Sequence, residues 1–198
     1  MSVGTTKSPA LLDSTAATNP SFRLHAHYNF PPFFTLQPNL TTRQSQLASW
    51  SSLLLSYCSH HHIYRLSSSH SIFSNAQLNR RLKPEDVRIL FASMVDSQHT
   101  AEWVDTQRKK SSASEREEIY VLWHSIEEWA SLVLAWTEQT GQRNTVLTFY
   151  ELLEGDATQS CEWRGMPEEV LGRVLNVLVR RGRAGLLGEG EGRGVKIW

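Results

Sequence analysis

The chain has 198 residues, 40% of them hydrophobic, and its 20 lysines and arginines are balanced by 20 aspartates and glutamates. That length allows one medium domain or two small ones, and the zero net charge removes any overall pull toward nucleic acid or anionic membrane. Cys58 and Cys161 stand far apart and outside any metal or redox spacing, which excludes a disulfide scaffold and predicts a reducing, cytoplasmic setting.

No apolar run reaches the length of a membrane span, and the N-terminus lacks the basic-then-apolar pattern of a signal peptide. Met1 to about Ser21 is small and polar and reads as a disordered tail, and residues 1–29 as a whole are placed ahead of the first domain. His25 and His27 lack a third ligand and do not make a metal site. Phe30 to Asn39 is apolar and aromatic, yet Pro31, Pro32 and Pro38 oppose a helix and interrupt a strand ladder. Phe30 and Pro31 are expected to be polyproline-like. Two outcomes follow for the rings of Phe33 and Phe34: insertion into a pocket on another protein, or packing as a lead-in on the chain's own first domain.

A long helix is predicted from Thr42 to about His60, with a capping pattern of Thr41 and Gln44 and an apolar face of Leu47, Trp50, Leu54, Tyr57 and Cys58. His60, His61 and His62 do not share a helix face, so residues 59–71 read as a polar loop rather than a zinc site. Ser74 and Gln77 predict a short helix from Asn75 to Leu82. Pro84, Glu85 and Asp86 then open a further helix carrying Val87, Leu90, Phe91, Met94 and Val95. Strands follow at Ala101 to Asp105 and Ile119 to Trp123, around a charged loop from Thr106 to Glu118.

The pattern restarts with capping boxes at Ser125/Glu128 and Thr148/Glu151, a left-handed stop at Gly141, and a short β segment at Thr145 to Leu147. Cys161 to Trp163 reads as a short extended piece. Met166-Pro167-Glu168-Glu169-Val170 repeats Lys83-Pro84-Glu85-Asp86-Val87 and opens a helix with Leu171, Val174, Leu175 and Leu178. Ala184 to Gly188 and Gly194 to Trp198 are the last strands, flanking the glycine-rich turn from Glu189 to Arg193. Three helices and two strands, twice, predict an α+β fold, mostly helical, of two tandem winged-helix domains at residues 30–123 and 124–198.

The motif from Pro31 to Asn39, followed by Thr42, Arg43, Gln46 and Leu47, resembles the start of the vacuolar protein sorting-associated protein 25 family, the small subunit of ESCRT-II. Ala101-Glu102-Trp103, Glu127-Glu128-Trp129, Thr145-Val146, Tyr150-Glu151-Leu152 and Gly194-Val195-Lys196 continue the resemblance. It implies a Y-shaped assembly in which two copies of this subunit join two larger ESCRT-II subunits. Pro31, Pro32, Phe33 and Phe34 would be the partner-binding residues. It further implies that the second winged helix recruits an ESCRT-III subunit on endosomal membrane, during multivesicular body sorting of ubiquitinated cargo, with membrane contact indirect. The alternative is nucleic-acid binding or a transcription-associated role. Against it, both third helices open with acidic pairs, Glu85-Asp86 and Glu168-Glu169, which repel phosphates. No catalytic constellation, cofactor motif or metal set emerges, so the expectation is a non-enzymatic adaptor with no cofactor.

Overall fold

The computed structural model describes residues 22–104, 117–188 and 193–198. The expected tail to Ser21, most of the loop from Thr106 to Glu118, and the glycine-rich turn at 189–192 lie outside these. Two hydrophobic cores are found. One surrounds Trp50, Leu53, Leu54, Phe73, Leu90 and Phe91; the other surrounds Trp129, Val133, Leu152, Leu171, Val174 and Val195.

The first unit opens with α1, Leu40–His61. It begins two residues before the expected Thr42, because the side chain of Asn39, not Thr41, accepts the Thr42 backbone N–H at 3.1 Å. It stops where His62 turns left-handed at φ 52°. A short strand, β1 (Arg65–Ser67), follows inside the segment expected to be loop. Only Leu66 of it is buried, too few positions for an alternating pattern to show.

The helix expected at Asn75 to Leu82 is absent. Instead β2 (Ser74–Asn75) and β3 (Arg80–Arg81) pair as a ribbon. The Asn75 side chain accepts the Leu78 N–H at 3.1 Å, and Asn79 turns left-handed at φ 49°, so an asparagine-led turn replaces the helical one. Helix α2 (Pro84–Ala92) has Pro84 in its first turn as predicted and widens into a π turn over Ser93–Ser97. Strands β4 (Ala101–Trp103) and β5 (Glu118–Val121) complete an antiparallel sheet ordered β1-β5-β4.

The second unit repeats the plan. Helix α3 (Ile126–Gln139) carries the predicted Ser125/Glu128 capping box, and Gly141 adopts φ +69° just beyond its end. Strand β6 (Val146–Thr148) leads into α4 (Phe149–Glu154), capped reciprocally by Thr148 and Glu151. Cys161 to Trp163 is a turn rather than an extended piece, with Arg164 N–H bonded to Cys161 O at 3.2 Å. Helix α5 (Glu168–Arg180) begins one residue later, relative to its proline, than α2 does: Pro167 is its cap. Strands β7 (Ala184–Leu187) and β8 (Gly194–Ile197) give the order β6-β8-β7, the same permutation as in the first sheet. Helix, strand, helix and a two-stranded wing recur in both units, α4 of the second standing where the first has the 3-10 turn Ser71–Phe73 and the β2–β3 ribbon; this is the tandem winged-helix plan the internal repeat predicted.

The units meet through Tyr64, which belongs by sequence to the first unit but is 4% exposed within the second core. Its ring lies 4.5 Å from Trp123 and 6.3 Å from Trp129, and its hydroxyl donates to the Glu162 carbonyl. His124 pairs with the Glu162 carboxylate at 2.9 Å, and Arg173 of α5 grips Glu102 of β4 with two nitrogens. Trp123 packs on both cores.

Candidate partner-docking site

The segment around Pro31 is ordered by two single-turn 3-10 helices, Ala26–Asn29 and Pro31–Phe34, separated by Phe30. Phe30 is extended at φ −108°, ψ 113°, as a residue before proline should be. The polyproline expectation fails one residue later. A single turn suits Pro31 and Pro32 because the first N–H groups of any helix lack intrahelical partners, so nothing is lost by their absence. The turn closes with Phe33 N–H on Phe30 O at 2.9 Å and Thr35 N–H on Pro32 O at 3.2 Å.

Closing the turn swings both rings inward. Phe33 is 6% and Phe34 3% exposed, so in the chain by itself both rings pack at home. Phe34 meets Trp50 edge-on at 5.5 Å and Tyr28 at 5.3 Å, while Phe33 lies flat on the same indole. Tyr28 is itself fixed: its hydroxyl donates to Ser74 O at 2.8 Å, and Asn75 donates to Tyr28 O at 2.8 Å. Packing of the first unit therefore begins ahead of residue 30, where the sequence placed its start. Phe22 already lies 5.5 Å from Tyr57.

The backbone of the turn is clamped from α1. The Trp50 indole N–H donates to Phe33 O at 2.9 Å. Gln46, buried in the helix, shares its amide hydrogens among Pro32 O, Phe33 O and Thr35 O at 2.9–3.2 Å, and its oxygen accepts the Gln37 N–H at 3.1 Å. Arg43 donates to Gln37 O at 2.7 Å. What remains outside is Pro31, Pro32 and the ring of Phe30, which is 58% exposed. Phe30 and Pro32 border a groove of about 260 Å³ between the turn and the polar face of α1. Sequence reasoning named Gln46 only as part of a family motif and gave it no role as the clamp of the turn. Its one available signal is an uncharged polar residue at a core-facing spacing, one position before Leu47.

The acidic openings of the third helices are confirmed as first-turn residues, Glu85 and Asp86 in α2 and Glu168 and Glu169 in α5. Glu168 is joined to Arg193 at 2.6 Å. Arg173, the cation in the middle of α5, is held by Glu102, and Arg183 beyond its end is held by Glu138 at 3.1 Å. A base-reading surface needs such groups free. Burial pushes the Cys58 thiol up to about 12, which keeps it protonated and poorly nucleophilic. Among the described residues no group of three or more histidine, cysteine, aspartate or glutamate side chains is placed to hold a metal ion, and no helix is long and apolar enough to cross a membrane.

Two tandem winged helices, with an exposed proline turn ahead of the first and Arg173 and Arg183 engaged within the fold, define a chain of the winged-helix class. A family model described as ESCRT-II complex subunit matches residues 27–167. Vacuolar protein-sorting-associated protein 25 of Danio rerio is 37% identical over 90% of this chain and 99% of its own length, and that of Homo sapiens is 37% identical over 90% and 98%. The crystal structure of subunit VPS25 of the endosomal trafficking complex ESCRT-II superposes with a TM-score of 0.77 at 30% identity, covering 88% of this chain and 98% of that one. The chain belongs to the vacuolar protein-sorting-associated protein 25 family of ESCRT-II subunits.

Proposed function

We propose that this chain is a non-enzymatic adaptor that docks on two larger ESCRT-II subunits through the Pro31–Phe34 turn, two copies entering each complex. A related complex is described as VPS22/VPS25/VPS36, which names the partner subunits. The observation that carries the reading is the clamped turn: Pro31 and Pro32 face outward on a backbone already fixed by Gln46 and Trp50. A pre-ordered apolar projection loses little conformational freedom on binding. Phe33 and Phe34 serve as the internal support that sets the turn, while Phe30, Pro31 and Pro32 make the contact.

The second winged helix then presents its outer surface to an ESCRT-III subunit on the endosome, during multivesicular body sorting of ubiquitinated cargo. The protein works from the cytoplasm, and the complex rather than this chain contacts the membrane. The test is capture of VPS22 and VPS36 by wild-type chain and by Pro31→Asp with Pro32→Asp, with circular dichroism of both. Lost capture with an intact spectrum supports the reading; unchanged capture removes it.

A further inference from the structure

Residues 59–71 carry four histidines that the docking of prolines leaves unused, and one of them, His70, holds a structural position. Its Nδ1 accepts the Ile72 N–H at 3.2 Å and so opens the 3-10 turn Ser71–Phe73. A ring nitrogen that accepts is unprotonated, which makes His70 the neutral imidazole with its proton on Nε2. From this turn the contacts run to the docking motif. The Ile72 carbonyl accepts the Tyr28 hydroxyl at 3.1 Å, Tyr28 meets Phe34 edge-on at 5.3 Å, and Phe73 lies 5.9 Å from the Trp50 ring.

The surroundings of this half-buried imidazole oppose a positive charge. Tyr57 lies 5.9 Å from its ring and 4.5 Å from that of His61, and His61 lies 4.7 Å from His60, so three imidazoles crowd the end of α1. Phe22 closes the cluster from the leading arm, 5.4 Å from His60 and 5.8 Å from His61. From β3, Arg81 donates to the carbonyl of Ser69, next to His70. Glu117, whose carbonyl accepts the Ser68 N–H, has its carboxylate on Arg88 at 3.4 Å. Among the described residues no carboxylate pairs with His60, His61 or His70. Burial, and then His61, hold the His70 imidazole below its ordinary value of 6.5; burial and then His60 do the same for His61. For imidazoles so held, the stabilisation is complete above about pH 6.5 and is lost as pH falls toward the lower folded values.

We infer that His70 is a proton-operated support for the docking turn: a proton taken up at Nδ1 displaces the Ile72 N–H, loosens the seat of Tyr28 and Phe34, and weakens capture by the partner subunits. The inference rests on the docking reading and adds its regulation. Nδ1 has a single lone pair, so it cannot hold a proton and accept the N–H together. The imidazolium also meets His61 with no carboxylate to offset its charge. The turn is therefore best supported near neutrality and loses its support in acid.

The experiment measures affinity for purified VPS22 and VPS36 at about pH 7.5 and about pH 5.5, the range in which histidine changes charge. It compares wild type with His70→Asn, whose side chain accepts the same N–H without titrating there, with His70→Ala, and with the Pro31→Asp, Pro32→Asp variant. The partners are the same throughout, so their own titration cancels between variants. Amide exchange at Ile72, followed by nuclear magnetic resonance on the free wild-type chain, reads the cap itself and needs no variant. Relative to His70→Asn, wild type is expected to bind about fivefold more weakly in acid, with the protection of Ile72 reduced. His70→Ala is expected to keep its circular dichroism and to bind weakly at both pH values. Equal pH dependence in wild type and His70→Asn, or an Ile72 amide equally protected at both pH values, overturns the inference; binding lost in the proline variant then leaves the docking reading standing. Full affinity in His70→Ala overturns it in the same way. Unchanged binding in the proline variant removes the docking reading and the inference with it.

Discussion

Phe33 stacks flat on Trp50, ring centroids 4.3 Å apart and planes 9° from parallel. The indole holds the same residue twice, since its N–H also donates to the Phe33 carbonyl at 2.9 Å. Phe33→Ala removes both the ring and the wall against which Trp50 is buried. We expect it to destabilise the chain by about 3–5 kcal/mol, a large share of what a small domain has. Urea unfolding followed by tryptophan fluorescence measures this; a loss below about 1 kcal/mol contradicts a structural role for the ring.

Gln46→Leu separates the clamp from the contact surface. The substitution preserves approximate volume but leaves the Gln37 N–H and the turn carbonyls without their partner, at a cost of about 1–3 kcal/mol. Because the turn is then no longer held, affinity for VPS22 and VPS36 should fall although Pro31 and Pro32 are untouched. Calorimetric titration beside a thermal melt checks both effects; full affinity would mean that the turn orders itself without the clamp.

Tyr64→Phe tests the joint between the units. The ring stays and the hydroxyl bond to the Glu162 carbonyl goes, for a loss of about 1 kcal/mol. Burial raises the Tyr64 hydroxyl pKa above its ordinary value of 10.0. Its stabilising contribution is complete below pH 10, where the unfolded chain's tyrosine is also protonated, and is lost as pH rises through the higher folded value. The wild type should therefore weaken in alkali more than the phenylalanine variant. Small-angle scattering across that range would show the two units separating, and identical profiles would sink the idea.

The two capping boxes predict behaviour in acid. The Ser125 backbone N–H, and then its hydroxyl, hold the Glu128 carboxyl below its ordinary value of 4.5; Thr148 does the same for Glu151. For depressed carboxyls the stabilisation is present above about pH 4.5 and lost as pH falls through the lower folded values. Thr148→Ala should cost about 1 kcal/mol near neutrality. A variant with both Ser125→Ala and Thr148→Ala should show a flatter acid limb in its melting temperature; an unchanged limb would show that other carboxylates govern acid unfolding.

The repeat, the capping boxes of the second unit and the acidic openings of the third helices were legible because each is local: a cap and its partner lie three residues apart, and a proline announces a first turn by its chemistry alone. What was illegible depended on distance. Leu66 reads as part of a strand only once β5 is beside it. Asn75 to Leu82 contains helix-compatible residues, and the turn led by the Asn75 side chain overrides them. The fate of Phe33 and Phe34 was undecided by composition because it depends on Trp50, seventeen positions downstream, offering a flat face and an N–H to the same residue. The role of Gln46 was hidden for the same reason: nothing nearby in sequence explains a buried amide, whereas four backbone groups of the turn do.

Tyr64 lies in one half of the duplicated sequence and packs in the other, and Trp123 serves both. The halves are therefore no longer interchangeable beads on a string. Cutting between them would open a hole in one and strand an aromatic ring on the other. Mechanically the two units are coupled, because an aromatic ring from the first is a structural part of the second.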